Sequence, residues 1–231
     1  MIVAVAVAIA LTAPPATAAL AVGPAARPLD GDTLTITRLK YDGGGDWYGN
    51  PSSLPNLLAA IRDRTGISVA PREQTVSLLD PGLADHPYLY MTGHGNVSWS
   101  AAERQALREY LLAGGFLHAD DNYGMDQSFR REIQAVFPDQ ELVELPPDHP
   151  VFHLFYDFPK GLPKIHEHDG KRPQGFGIFH DGRLIVFYSY ESDLGDGWED
   201  PDVHKDPPEI RERAIEMGVN LFLYALQQEV R

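Results

Sequence analysis

Cysteine is absent from the 231-residue chain, and with it thiol nucleophiles, disulfides, thiolate zinc sites and iron–sulfur clusters. Basic residues are scarce: 19 Lys and Arg stand against 33 Asp and Glu, a formal charge of −14. So acidic a surface repels phosphate backbones, and no basic run offsets it, which argues against nucleic acid as a partner. The apolar run Ile2 to Leu11 is ten residues long, short of the about 20 needed to cross a bilayer core. No G-x-S-x-G follows a strand, so a serine hydrolase is not expected. Oxygen and imidazole chemistry remain.

The N-terminus is uncharged from Met1 to Ala26, and its apolar run is followed by Pro14, Pro15 and Ala16-Thr17-Ala18. This reads as a signal peptide over residues 1–18, cleaved near Ala19, so that the mature chain is exported, periplasmic or extracellular, and carries no transmembrane helix. No basic residue precedes the run, which leaves the true start of the signal open. Residues 19–32 read as an Ala/Pro-rich linker and 33–231 as a single domain of ordinary size.

Within that domain, apolar segments alternate with helical patterns, as a layered α/β fold requires. Leu34 to Tyr41 predicts a strand that ends in Gly43-Gly44-Gly45. Leu54, Leu57, Leu58 and Ile61 form a helical stripe ending near Gly66. Val69 to Leu79 is a weak strand or loop, and Pro87 to Thr92 a buried strand. Ser100-Ala101-Ala102-Glu103 is a capping box opening a helix that runs to Gly114. Phe116 to Ala119 is the next strand, and Met125, Phe129, Ile133 and Val136 mark a helix stopped at Pro138. Residues 145–173, rich in Pro and His, read as a long ordered excursion. Gly175 to His180 and Arg183 to Tyr190 flank Asp181-Gly182, a hairpin signal. Asp206-Pro207-Pro208-Glu209 predicts a cap and first turn for the last helix.

Ligands of open α/β sheets bind beyond the carboxyl ends of the strands, so the residues found there are the candidates. They are Asp42, Asp46, Trp47 and Tyr48 after the first strand, and Gly93-His94-Gly95 after the third. His118-Ala119-Asp120-Asp121-Asn122-Tyr123 covers the end of the fourth, and Glu191, Asp193, Asp196, Trp198 and Glu199 follow the hairpin. If the strands are parallel and adjacent, these groups share one rim. His94, Asp120 and Asp121 are then candidate bases or ligands, with Asp42 or Asp46 orienting them. As strand neighbours, Asp120 and Asp121 face opposite ways, one toward the rim and the other capping the next helix. Trp47, Tyr48, Tyr123 and Trp198 are placed to stack on sugar rings, or equally to cover the core. Asp193 to Asp200 holds four carboxylates and two Gly in eight residues. It is not the twelve-residue calcium loop, yet a divalent cation such as calcium would suit Asp193, Asp196 and Glu199, against the plainer reading of an acidic turn. His149, His153, His166 and His168 lack a third ligand at a diagnostic distance and read as solvated surface. The Gly triplet fails G-x-G-x-x-G because Tyr48 stands at the third position.

Tyr-Met-Thr-Gly-His-Gly (90–95), Gly-Gly-Phe-Leu-His-Ala-Asp-Asp (114–121), Ser-Phe-Arg-Arg-Glu (128–132) and Asp-His-Pro-Val-Phe (148–152) resemble the domain of unknown function 4159 family over most of residues 33–228. The resemblance implies a three-layer flavodoxin-like sheet, mostly parallel, with helices on both faces and here a C-terminal β-hairpin addition. That sheet is shared with class I glutamine amidotransferases and trehalose-utilisation-type proteins, in exported or membrane-attached bacterial proteins. It implies no activity, and the amidotransferase thiol has no counterpart in Gly93-His94-Gly95. Two functions are expected. One is an exported domain that binds a small polar ligand, carbohydrate or peptide, at an acidic rim, with metal-assisted or carboxylate-based hydrolysis if it is an enzyme. The other is a non-catalytic module that binds an envelope protein. Oligomeric state is not legible.

Overall fold

The structure is a computed structural model that describes residues 34–228. The expected signal peptide and the whole of the linker lie outside the described residues. Seven strands form one sheet: β1 (Thr37–Lys40), β2 (Gln74–Ser77), β3 (Tyr88–His94), β4 (Phe116–Tyr123), β5 (Val143–Glu144), β6 (Gln174–His180) and β7 (Arg183–Tyr190), in the order β2-β1-β3-β4-β7-β6-β5. β2, β1, β3, β4 and β7 run parallel, whereas β6 pairs antiparallel with both β7 and β5. The mostly parallel, helix-flanked sheet is consistent with the flavodoxin-like three-layer arrangement.

The central strands are buried on both faces, and alternation along them divides the core in two. Tyr88, Tyr90 and Phe116 face one layer, packed by α1 (Ser53–Thr65) through Leu54, Leu57, Leu58 and Ile61 and by α6 (Pro208–Gln228) through Ala214, Met217 and Phe222. Leu89, Met91, Leu117 and Ala119 face the other, covered by Leu107 and Leu111 of α2 (Ala101–Leu112) and by Phe129, Ile133 and Val136 of α3 (Asp126–Val136). The same alternation carries past Ala119. Asp120 falls on the α1/α6 side and Asp121 on the α3 side.

The C-terminal hairpin forms as expected, its second strand, β7, pairing in parallel with β4 inside the sheet and leaving β6 and β5 on the margin. Two expectations are corrected. β4 continues through the polar residues Asp120, Asp121 and Asn122 to Tyr123, because β7 pairs with it as far as Asp120 and β3 as far as Tyr123. The acidic stretch after β7 is not an open loop but two short helices, α4 (Leu194–Trp198) and α5 (Pro201–His204).

The helix ends follow local chemistry. The Ser100 hydroxyl accepts from the Glu103 amide and Glu103 accepts from the Ser100 amide at 2.7 Å, the expected capping box. Gly66 closes α1 at φ 75°, returning its N–H to the Arg62 carbonyl. Ser100→Ala leaves the Glu103 amide of α2 unanswered. It should cost about 1 kcal/mol, read as a lower urea midpoint with an unchanged slope; an unchanged midpoint contradicts the assignment.

Candidate functional site

β1, β3, β4 and β7 are adjacent and parallel, so their carboxyl ends share one edge, and the candidate groups gather there in two sets. The first is a pair. Asp46 accepts the backbone N–H of His94 with Oδ1, while Oδ2 lies 3.1 Å from His94 Nδ1. The glycines make this grip possible. A Cβ on Gly93 (φ 147°) would run into the Tyr41 hydroxyl, and one on Gly45 would stand 2.7 Å from that hydroxyl and 2.9 Å from the Asn96 carbonyl. The Gly triplet therefore lies flat on residues 94–98, held by the Gly45 amide on the Asn96 carbonyl at 2.9 Å, rather than acting as a flexible turn. His94 is in register with Tyr123, whose ring lies 4.9 Å from that of His168. Tyr123 thus stands between the two sets.

The second set lies beyond β4 and β7. Asp120 is fully buried and takes four donors: the hydroxyls of Ser189 and Tyr90 (3.2 Å) and the amides of Leu194 (3.3 Å) and Gly195 (2.7 Å). Behind it, His118 Nε2 lies 3.0 Å from Ser189 Oγ and its Nδ1 3.1 Å from the Tyr88 hydroxyl. Burial pushes the imidazole down to about 3, so it is neutral. In front, Asp196 Oδ2 lies 3.0 Å from His166 Nδ1 and 3.5 Å from His204 Nε2, while its Oδ1 accepts from Asn50 at 2.6 Å and Asn122 at 3.3 Å. Asp193 Oδ2 lies 2.7 Å from His168 Nε2 and 3.4 Å from His166 Nδ1. His166 Nε2 reaches Asp206 Oδ1 at 2.7 Å. Hydrogen bonds from Asp193 and Asp196 push His166 up to about 11, and Asp193 likewise raises His168. Burial works to raise Asp196, but His166 and His204 outweigh it and hold the carboxyl below its ordinary value.

Other candidates part from their expected roles. Trp198 is fully buried, with its indole N–H on the Ala214 carbonyl at 2.7 Å; it is core, with no face left for a sugar. Glu199 turns away from the acidic cluster to accept the amide and hydroxyl of Ser52 with Oε1 (2.9 and 3.0 Å), leaving Oε2 3.9 Å from His204. Glu191 is buried against Lys164 at 2.9 Å, and Asp42 is exposed beside a backbone bridge to Ser98. Asp121 caps as expected: its Oδ1 accepts the Met125 amide at 3.0 Å and its Oδ2 the Tyr188 hydroxyl at 3.3 Å. Tyr48 and Tyr123 are exposed and Trp47 is half-buried. His166 and His168 are not solvated surface, because buried carboxylates hold both. Asp206 does not cap α6, because one oxygen is taken by His166 and the other is buried without a partner. Asn122, from the expected strand end, is joined in the second set by Asn50, His204 and Asp206, and of these three only the last two had a signal in the sequence, the His204-Lys205-Asp206 run beside the acidic stretch.

Burial and the Asp193 carboxylate push Asp120 up to about 7, against the opposing pull of Ser189 and Gly195. The folded value exceeds the ordinary 3.8, so folding tightens proton binding. This contribution to stability is complete below about pH 4 and is lost as pH rises through about 7. The stability advantage of wild type over Asp120→Asn should therefore shrink between pH 4 and 8, by about 1.4 kcal/mol for each pH unit inside that window at most. A difference that stays constant in urea titrations across this range contradicts the assignment.

A search of curated proteins returns no match. A family model described as a domain of unknown function (DUF4159) matches residues 35–226, which takes in the whole sheet and both sets of edge residues; the chain belongs to the DUF4159 family.

Proposed function

We propose that the carboxyl edge of β1, β3, β4 and β7 binds a small polar ligand, a carbohydrate or peptide, and hydrolyses it with a water activated by His94. The observation that carries this reading is the two-point hold of Asp46 on His94 through the backbone amide and Nδ1. It fixes the tautomer with Nδ1–H toward the carboxylate and leaves Nε2 directed away from Asp46. An imidazole so oriented takes a proton from water as the oxygen attacks, then returns it to the leaving group. Asp46 stabilises the imidazolium formed between the two steps. No thiol is available in the chain and no serine elbow is present, so water is the nucleophile. The exposed rings of Tyr48 and Tyr123 beside this pair offer faces for an apolar sugar surface or a peptide side chain.

Two further parts belong to the same proposal. The uncharged N-terminal stretch with its small-residue end supports export to the periplasm or beyond. A kinship with the amidotransferase-like sheet is supported by the strand order and by His94 standing where those enzymes place their nucleophile, the reaction having passed from thiol to water.

Chromogenic esters, glycosides and peptide amides at neutral pH form the test panel. His94→Gln should lower turnover of the active substrate by about 10²- to 10⁴-fold, and Asp46→Asn should also depress it, both with unchanged melting temperature. Turnover that survives His94→Gln overturns the proposal, and so does a wild-type protein that binds a ligand but turns over none of the panel, the outcome expected of an envelope interaction module.

A further inference from the structure

We infer that His166, Asp196 and His204 form a binding site for one divalent ion of the zinc type. This goes beyond the dyad reading and does not rest on it. The three ligand atoms, His166 Nδ1, Asp196 Oδ2 and His204 Nε2, all lie within 4.8 Å of one another, with the carboxylate oxygen 3.0 and 3.5 Å from the two nitrogens. Around a tetrahedral ion with bonds of about 2.0–2.1 Å, neighbouring ligand atoms stand about 3.3 Å apart. The two carboxylate–imidazole separations bracket that value.

The surrounding contacts aim each ligand. Asp206 Oδ1 receives His166 Nε2–H at 2.7 Å, so an ion that displaces the Nδ1 proton meets a lone pair already facing the cluster on a ring whose other nitrogen is held, which makes it a better donor. Asn50 and Asn122 occupy Asp196 Oδ1 and leave Oδ2 for the ion. His168 holds Asp193 so that its Oδ2 stands 3.4 Å from His166 Nδ1.

A second and independent observation points the same way. Asp193 is fully buried, and its Oδ1 has no hydrogen-bond partner among the described residues; Asp206 Oδ2 is buried without one too. Orphaned carboxylate oxygens are costly inside a protein. A dication beside them, or a water bound to it, supplies the missing partner. Asp120, Asp193, Asp196 and Glu199 are all nearly or wholly buried in this corner, and a bound dication offsets that charge.

The ligand chemistry selects the ion. Two imidazoles and one carboxylate suit zinc and its transition-metal neighbours, whereas calcium and magnesium prefer sites made of oxygen alone. The calcium expectation for the acidic stretch is thereby replaced, because that stretch supplies Asp196 while the imidazoles come from elsewhere in the chain. Three protein ligands leave a coordination position open, the pattern of catalytic rather than purely structural zinc.

The test uses the full chain, stripped with chelator, and zinc chloride as the probe in calorimetry, with cobalt(II) as a spectroscopic reporter. Wild type should take up one zinc and show intense visible cobalt bands, and excess calcium should not displace either ion. His204→Ala changes an exposed side chain of a one-turn helix, so it should keep the melting temperature of stripped wild type while weakening zinc at least about 100-fold and losing the cobalt bands. Asp206→Asn should weaken zinc by about 10- to 100-fold. His153→Ala, whose ring engages Asp157 and the Pro147 carbonyl away from the cluster, should change nothing. Absence of zinc uptake by wild type, equal affinity in His204→Ala, or displacement by calcium overturns the inference.

Discussion

Carboxylates buried where parallel strands end are the constraint around which this molecule is arranged. Asp120, Glu191, Asp193, Asp196 and Glu199 are each less than a tenth exposed, and every one must find donors or cations to stay there. The donors come from all round the edge. The first amides of α4 serve Asp120, Asn50 and Asn122 serve Asp196, Ser52 at the start of α1 serves Glu199, and Lys164 with the two imidazoles of the excursion serves Glu191 and Asp193. Segments distant in sequence are tied together by this demand as firmly as by the hydrophobic layers beneath.

The backbone bends to meet it. Five non-glycine residues adopt positive φ among the described residues, and apart from Asp181 in the hairpin turn they all border the edge: Asn50, Glu191, Asp193 and Lys205. Left-handed geometry costs an L-residue about 1–2 kcal/mol, and here it turns Asn50 toward Asp196 and Asp193 toward the imidazoles. Arg38, buried at the start of the sheet, braces the loop from below by donating to the carbonyls of Trp47, Gly49 and Asn50. Strain concentrated beside orphaned carboxylate oxygens marks an arrangement kept for something other than stability.

The fold was legible because its signals are local. The Leu54–Ile61 stripe, the Ser100–Glu103 box and the Asp181-Gly182 turn each act within a few residues and appear where expected, and the strand expected over Pro87 to Thr92 forms from Tyr88 to His94. The prolongation of β4 through Asp120, Asp121 and Asn122 was not legible, since it rests on the ladder that β3, and at Asp120 also β7, provides rather than on an apolar pattern of its own. The edge divides the same way. Asp121 as a cap and Asp46 beside His94 follow from short-range geometry and strand adjacency. The partners of His166 and His168 are contributed by the stretch after β7, far along the chain, so spacing within the excursion carried no trace of them. Trp198 misled because an aromatic residue among acids looks like a sugar platform, whereas the short helix α4 rotates it into the core.

One buried side chain ties the first part of the excursion between β5 and β6 to the last helix. Asn220 accepts the amides of Phe155 and Tyr156 and donates to the carbonyls of Val151 and Tyr156, and it sits past the midpoint of the last helix. His166 and His168 lie further along the excursion, where the stretch after β7 fixes them through the Ser192 carbonyl and the carboxylates of Asp193, Asp196 and Asp206. A chain truncated before residue 193 would keep these two imidazoles and lose every acid that answers them, so the constellation cannot assemble until the sequence past α5 is present.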